Sequence, residues 1–145
     1  MPQVHFHRED VDFRLPGEQH TADWILTIAG SEGYSIESLN FIFCSDEYLH
    51  QVNVTYLGHD TFTDIITFDQ SDTHNLLEGD IFISIERVKE NARQLHVELD
   101  EELHRVIIHG VLHLMGYSDK SDEEKDSMRK KEEACLSLRT SRNNL

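Results

Sequence analysis

Residues 103–115 read Leu-His-Arg-Val-Ile-Ile-His-Gly-Val-Leu-His-Leu-Met, and at about 100° per residue this run constrains the whole chain. Leu103, Ile107, Gly110, Val111 and Leu114 fall on one stripe, and Val106, Ile108, Leu112 and Met115 carry it most of the way round. A helix apolar on nearly every side belongs inside a protein, so the remaining residues must be arranged to cover it. One narrow sector stays polar, and it holds Arg105, His109 and His113. Two histidines four apart put their imidazoles on one face about one turn apart, within reach of a single divalent ion. Gly116 supplies the left-handed residue that ends such a helix, so the chain can turn back and offer Asp119 as a third ligand.

His, His and Asp suit zinc, one ion per chain, in a catalytic site whose fourth position stays open for water. Histidines at this spacing also occur as ordinary hydrogen-bonded side chains; the added glycine and carboxylate make the pattern more specific. A zinc peptidase of the HExxH type carries Glu directly after the first histidine as its general base. Here that position is Gly110, which has no side chain to take a proton, so peptide hydrolysis by that route is disfavoured.

A chain of 145 residues is long enough for one core, and residues 1–145 are expected to form a single domain. Cys44 and Cys135, with an opening run Met1 to Asp10 that lacks an apolar signal segment, point to reduced thiols and a cytoplasmic protein. No apolar run approaches membrane-spanning length. The formal charge of -15 argues against strong non-specific binding of nucleic acid. That objection weakens because the acids cluster at 98–102 and 122–124, and because a bound divalent ion reverses the local field. His5, His7, His20, His50 and His74 lack ligand-like spacing and are expected at the surface.

Taken in order, Val4 and Phe6, with Val11 and Phe13 as weaker hints, suggest a strand of about five residues before a turn at Pro16-Gly17. Residues 18–32 read as a helix on Trp24, Ile25, Ile28 and Ala29, and 39–44 as a strand. Ser45 caps a second helix that carries Tyr48, Leu49, Val52 and Tyr56 and ends before Gly58. Residues 61–68 are β-branched and aromatic and predict a third strand, and 78–84 a fourth. Ser84 caps a helix over 85–95, Asp100 caps the histidine helix, and Ser121 with Glu124 forms a capping box opening a last helix with Met128 and Leu136. The tail from Leu138 is expected to fray. Strands and helices alternating over four strands give an α+β or α/β layered domain.

His109 to Tyr117, continuing without a gap to Met128, resembles the bacterial rRNA maturation endoribonuclease family YbeY. Residues 53–56 (Asn-Val-Thr-Tyr), 63–68 (Thr-Asp-Ile-Ile-Thr-Phe) and 79–81 (Gly-Asp-Ile) resemble its other landmarks in the same order, so the likeness spans Leu39 to Met128. It implies an α+β fold in which a four-stranded mixed sheet is covered by about five helices. It also implies a cytoplasmic, zinc-dependent, single-strand endoribonuclease acting on ribosomal RNA, including 16S rRNA 3′ ends, and in ribosome quality control. Ribosomal RNA and the ribosome are the partners so implied, with no membrane.

The chain departs from that pattern twice. The family's usual third ligand, a histidine, falls at Asp119, and its arginine after the aromatic residue of the second helix is replaced by Leu57. Leucine cannot neutralise a phosphate, and Arg105 and His59 are the candidate catalytic cations in its place. Two other functions stay open: a ribosome-assembly factor that binds RNA and metal without cutting, which Leu57 favours, and a metallohydrolase of another substrate, which Gly110 disfavours.

Overall fold

The computed structural model describes residues 3–143. Four strands, β1 (Val4–Arg8), β2 (Ser35–Cys44), β3 (Ile65–Asp69) and β4 (Leu76–Ser84), form one sheet in the order β1-β2-β4-β3. β1, β2 and β4 run parallel, and β3 pairs antiparallel with β4 at one edge. Five helices surround it: α1 (Glu18–Ser31), α2 (Asp46–Val52), α3 (Ile85–Leu95), α4 (Leu99–Leu114) and α5 (Asp122–Asn143). The expected α+β arrangement, a mixed sheet of four strands under five helices, is the observed one.

Strand alternation decides which side carries the core. Leu39, Phe41, Phe43, Ile81 and Ile83 point to one face and pack with Trp24, Ile25 and Ile28 of α1 and Leu103, Ile107 and Val111 of α4. On the other face Leu49 and Val52 of α2 cover Cys44 and Ile66 in a smaller cluster. Both cysteines are free and buried, and burial pushes their thiols up, Cys44 to about 12 and Cys135 to about 11. Among the described residues no helix is long and apolar enough to cross a membrane.

Several boundaries differ from the sequence reading for physical reasons. Residues 61–64 are not strand, because β4 gives way to α3 at Ser84 and leaves them no backbone partner. The Ser84 N–H to the Asp64 carbonyl, 3.0 Å, is the last rung on that side. Side chains hold the loop instead: Asn53 donates to the Thr61 carbonyl at 3.0 Å, and Phe62 stacks on His50 with centroids 4.3 Å apart. β2 starts at Ser35 and β4 at Leu76, earlier than predicted, because each lends the other a parallel partner. The second helix changes character part-way: Asn53–Leu57 is a π turn closed by left-handed Gly58.

Ser45, Ser84 and Ser121 cap their helices as expected, accepting from the N–H groups of Tyr48, Arg87 and Glu124. Asp100 does not cap α4. Glu98 occupies that position because Leu99 joins the helix and packs against the core, while the Asp100 carboxylate pairs with Arg139. That pair staples α5, so the tail expected to fray from Leu138 is helical through Asn143. Met1 and Pro2 of the opening run, and the last two residues of the tail, lie outside the described residues. His5, His7 and His74 are exposed as expected, whereas His20 and His50 are half-buried.

Candidate metal centre

α4 lies against the sheet at Gly110, where an added Cβ would stand 2.9 Å from the Ile65 δ-methyl and 3.2 Å from Ile81. Position 110 therefore faces β3 and β4, and the polar sector one residue back opens beside the β3 edge. The helix ends in a Schellman motif: Gly116 (φ +99°) donates to the His113 carbonyl and Tyr117 to that of Leu112, each at 3.0 Å. This reversal returns the chain so that Asp119 faces both histidines.

Nε2 of His109 and Nε2 of His113 lie 3.0 Å apart, and Asp119 Oδ2 is 3.4 Å from each. Bonds of about 2.0–2.1 Å to a tetrahedral zinc separate ligand atoms by about 3.3–3.4 Å. The three donor atoms thus form a triangle of a size that one such ion spans. They share a cavity of about 290 Å³ with Thr63, Asp64, Ile65 and Thr67 from the start of β3.

Behind His109 stands a buried ionic network. Its Nδ1 lies 2.5 Å from Glu132 Oε2, and giving Nδ1–H to that carboxylate turns a lone pair on Nε2 into the cavity. Glu132 (2% exposed) also takes Arg105 Nη1 at 3.0 Å, and Arg105 Nε reaches Glu102 (1% exposed) at 2.9 Å. The two carboxylates hold the Arg105 guanidinium well above its ordinary range, Glu102 most strongly. Asp119 faces the two histidines and Asp64 lines the same cavity, so carboxylates outnumber the one guanidinium here, an excess of negative charge that favours a divalent cation. Both the donor set and its charge fit such an ion.

Of the residues singled out in the sequence, His109, His113 and Asp119 come together; Arg105 and His59 do not line the cavity. Arg105 is held behind His109, and His59 sits exposed on the loop after Gly58. Leu57 is 43% exposed at the end of the π turn, also outside the cavity. Sequence reasoning missed Glu132 and Asp64 as site residues. Glu132 had a readable signal, since it shares a helical face with Met128 and Cys135, where an acid must find a partner. Asp64 had a weaker one, an acid at the head of an apolar strand. Burial raises its carboxyl above the usual range, against the opposing charges of His109 and Arg105. Its Oδ2 takes the Asn91 amide at 3.3 Å.

Residues 3–139 match the family described as Endoribonuclease YbeY. This chain belongs to the endoribonuclease YbeY family. The Endoribonuclease YbeY of Cytophaga hutchinsonii is 54% identical over 136 residues, covering 94% of this chain and 95% of that protein. That of Christiangramia forsetii is 50% identical over 136 residues, covering 94% of each. The solution structure of TM1509 from Thermotoga maritima aligns with a TM-score of 0.63 at 26% identity, covering 96% of this chain and 93% of that one. The YbeY likeness therefore extends well beyond the histidine motif, to the first strand and into the last helix.

Proposed function

We propose that this chain is a metal-dependent, single-strand endoribonuclease of ribosomal RNA maturation, working on the ribosome in the cytoplasm as a single domain with zinc held by His109, His113 and Asp119. The observation that carries this reading is the triangle of donor atoms at 3.0, 3.4 and 3.4 Å in a chain of the YbeY family. A divalent ion held there supplies Lewis-acid polarisation of a phosphoryl oxygen. Asp64, in the same cavity, takes the proton of the attacking water, the task for which Gly110 offers no side chain. Arg105 acts through Glu132, which fixes the tautomer of His109. His59, exposed on the loop after Gly58, contributes a cation for a phosphate outside the cavity in this reading.

Incubating the protein with single-stranded RNA and, separately, with a general protease substrate, each with and without chelator, tests the reading. RNA cleavage that chelator stops, with the peptide untouched, is expected. His109→Ala and His113→Ala should each lose the ion while staying folded, because neither residue belongs to the core stripe of α4. Full zinc content in either variant overturns the site. RNA bound and never cut by the metal-loaded parent would identify the assembly factor that Leu57 suggests.

A further inference from the structure

The connection between α1 and β2 grips the loop that carries Asp119. Tyr117 donates its hydroxyl to Glu32 Oε1 at 2.6 Å, and Lys131 of α5 donates to Glu32 Oε2 at 2.7 Å. Two residues on, Tyr34 donates its hydroxyl to the Met115 carbonyl at 2.9 Å. Residues 32 and 34 of one connection thus hold residues 117 and 115 of the other, with the left-handed turn of Gly33 (φ +83°) between the two grips. All four side chains are partly buried, and Lys131 and Tyr117 hold the Glu32 carboxyl below the usual range, so it stays charged. Glu32, Tyr34, Tyr117 and Lys131 do not line the cavity, and the rings of Tyr34 and Tyr117 pack on the core beside Met115.

Resting on the metal reading above, we propose that Glu32, Tyr34 and Tyr117 are positioning residues that hold residues 115–119 close enough for a short aspartate side chain to serve as third ligand. A carboxylate reaches less far from the backbone than an imidazole. An aspartate at position 119 therefore completes the triangle only if the loop backbone stands nearer the histidines and stays there. The Schellman bonds set the direction of the loop, but they restrain nothing past Tyr117. The Glu32 and Tyr34 contacts tie Tyr117 and Met115, the root from which residues 118 and 119 spring, to a second element, so less ordering remains to be done when the ion arrives.

Zinc competition with a chromogenic chelator, run on purified full-length protein, tests the proposal. Tyr117→Phe, Glu32→Gln and Tyr34→Phe are each made with Asp119 and with Asp119→His. Removing such supporting partners costs metal affinity roughly tenfold or more, and that loss is expected with Asp119. With Asp119→His the longer imidazole tolerates a displaced loop, and the loss should shrink to about twofold or less. Melting of the metal-free proteins supplies the control: each substitution should shift it equally in the two backgrounds. Equal affinity losses in both backgrounds, or none in either, overturn the proposal while leaving the metal site standing. A parent that retains no zinc overturns both. Tyr34→Phe removes a single hydroxyl and keeps the test available if Glu32→Gln fails to fold.

Discussion

On the proposed function, Asp64 is the residue on which the chemistry most depends without being a ligand. Asparagine keeps its shape and the Asn91 contact but cannot accept a proton, so Asp64→Asn should slow RNA cleavage by about a hundredfold or more with zinc content unchanged. Loss of zinc in that variant would instead make Asp64 part of the coordination. Leu57 makes the opposite prediction. Leu57→Arg should speed cleavage by up to about a hundredfold and steepen the salt dependence of RNA binding by about one phosphate contact. An unchanged rate and slope would mean that phosphate never approaches this exposed position. His104 reports on the fold. It is fully buried on α4, with Nε2 2.8 Å from Thr21 Oγ1 and Nδ1 2.8 Å from the Asp100 carbonyl. Desolvation lowers its pKa below the ordinary 6.5, with Arg139 and His20 adding to the fall and Asp100 opposing it. The unfolded chain therefore binds a proton more readily than the folded one. This contribution to stability is full above pH 6.5 and is lost as pH falls below that value. Urea midpoints measured from pH 7.5 to 5 should drop for the parent and drop less for a folded His104→Asn variant.

At the scale of elements, the decisive contact is α4 on the sheet. Glycine at 110 lets the helix axis approach β3 and β4 until Ile65 and Ile81 leave no room for a side chain. That approach brings His109 and His113 to the β3 edge, where Thr63, Asp64 and Thr67 wait. Grafting in the zinc-peptidase base therefore fails on packing grounds. Gly110→Glu should destabilise the fold by about 3 kcal/mol or more, through overpacking and a buried carboxylate, and should yield no peptidase activity. A variant that melts with the parent would show that α4 has space to shift. The same logic explains β3: its residues predict a longer strand, but a ladder extends only as far as its partner, and β4 becomes α3 at Ser84.

Across the whole molecule, a strongly acidic chain gathers carboxylates around the two histidines in excess of the one guanidinium beside them, and a divalent cation reduces that excess. Arg105 pairs with Glu102 and Glu132, while Asp119 faces the two histidines and Asp64 lines the same cavity. Removing the ion should lower stability by about 2.7 kcal/mol for free zinc at a hundred times its dissociation constant. Differential scanning calorimetry with and without chelator measures this, and an unchanged melting temperature would mean that no ion binds the folded state.

The sequence by itself determined the local features. Serines followed within three residues by an acid capped three helices, the near-continuous apolar surface of residues 103–115 made α4 the buried helix, and Gly116 six residues after Gly110 turned the chain so that Asp119 met both histidines. Each of these is a matter of spacing within one or two elements, where periodicity and backbone preference leave few alternatives. Only the tertiary structure decided what lies across elements. Glu132 behind His109 comes from 23 residues away, the Glu32 grip on Tyr117 from 85, and Asp64 reaches the cavity from the loop just before a strand whose length was set by its neighbour. A carboxylate reads the same in sequence whether it faces water or an imidazole. Packing chooses between them, because the desolvation that makes an acid a ligand, a base or an orienting partner exists only once the sheet and helices close over it.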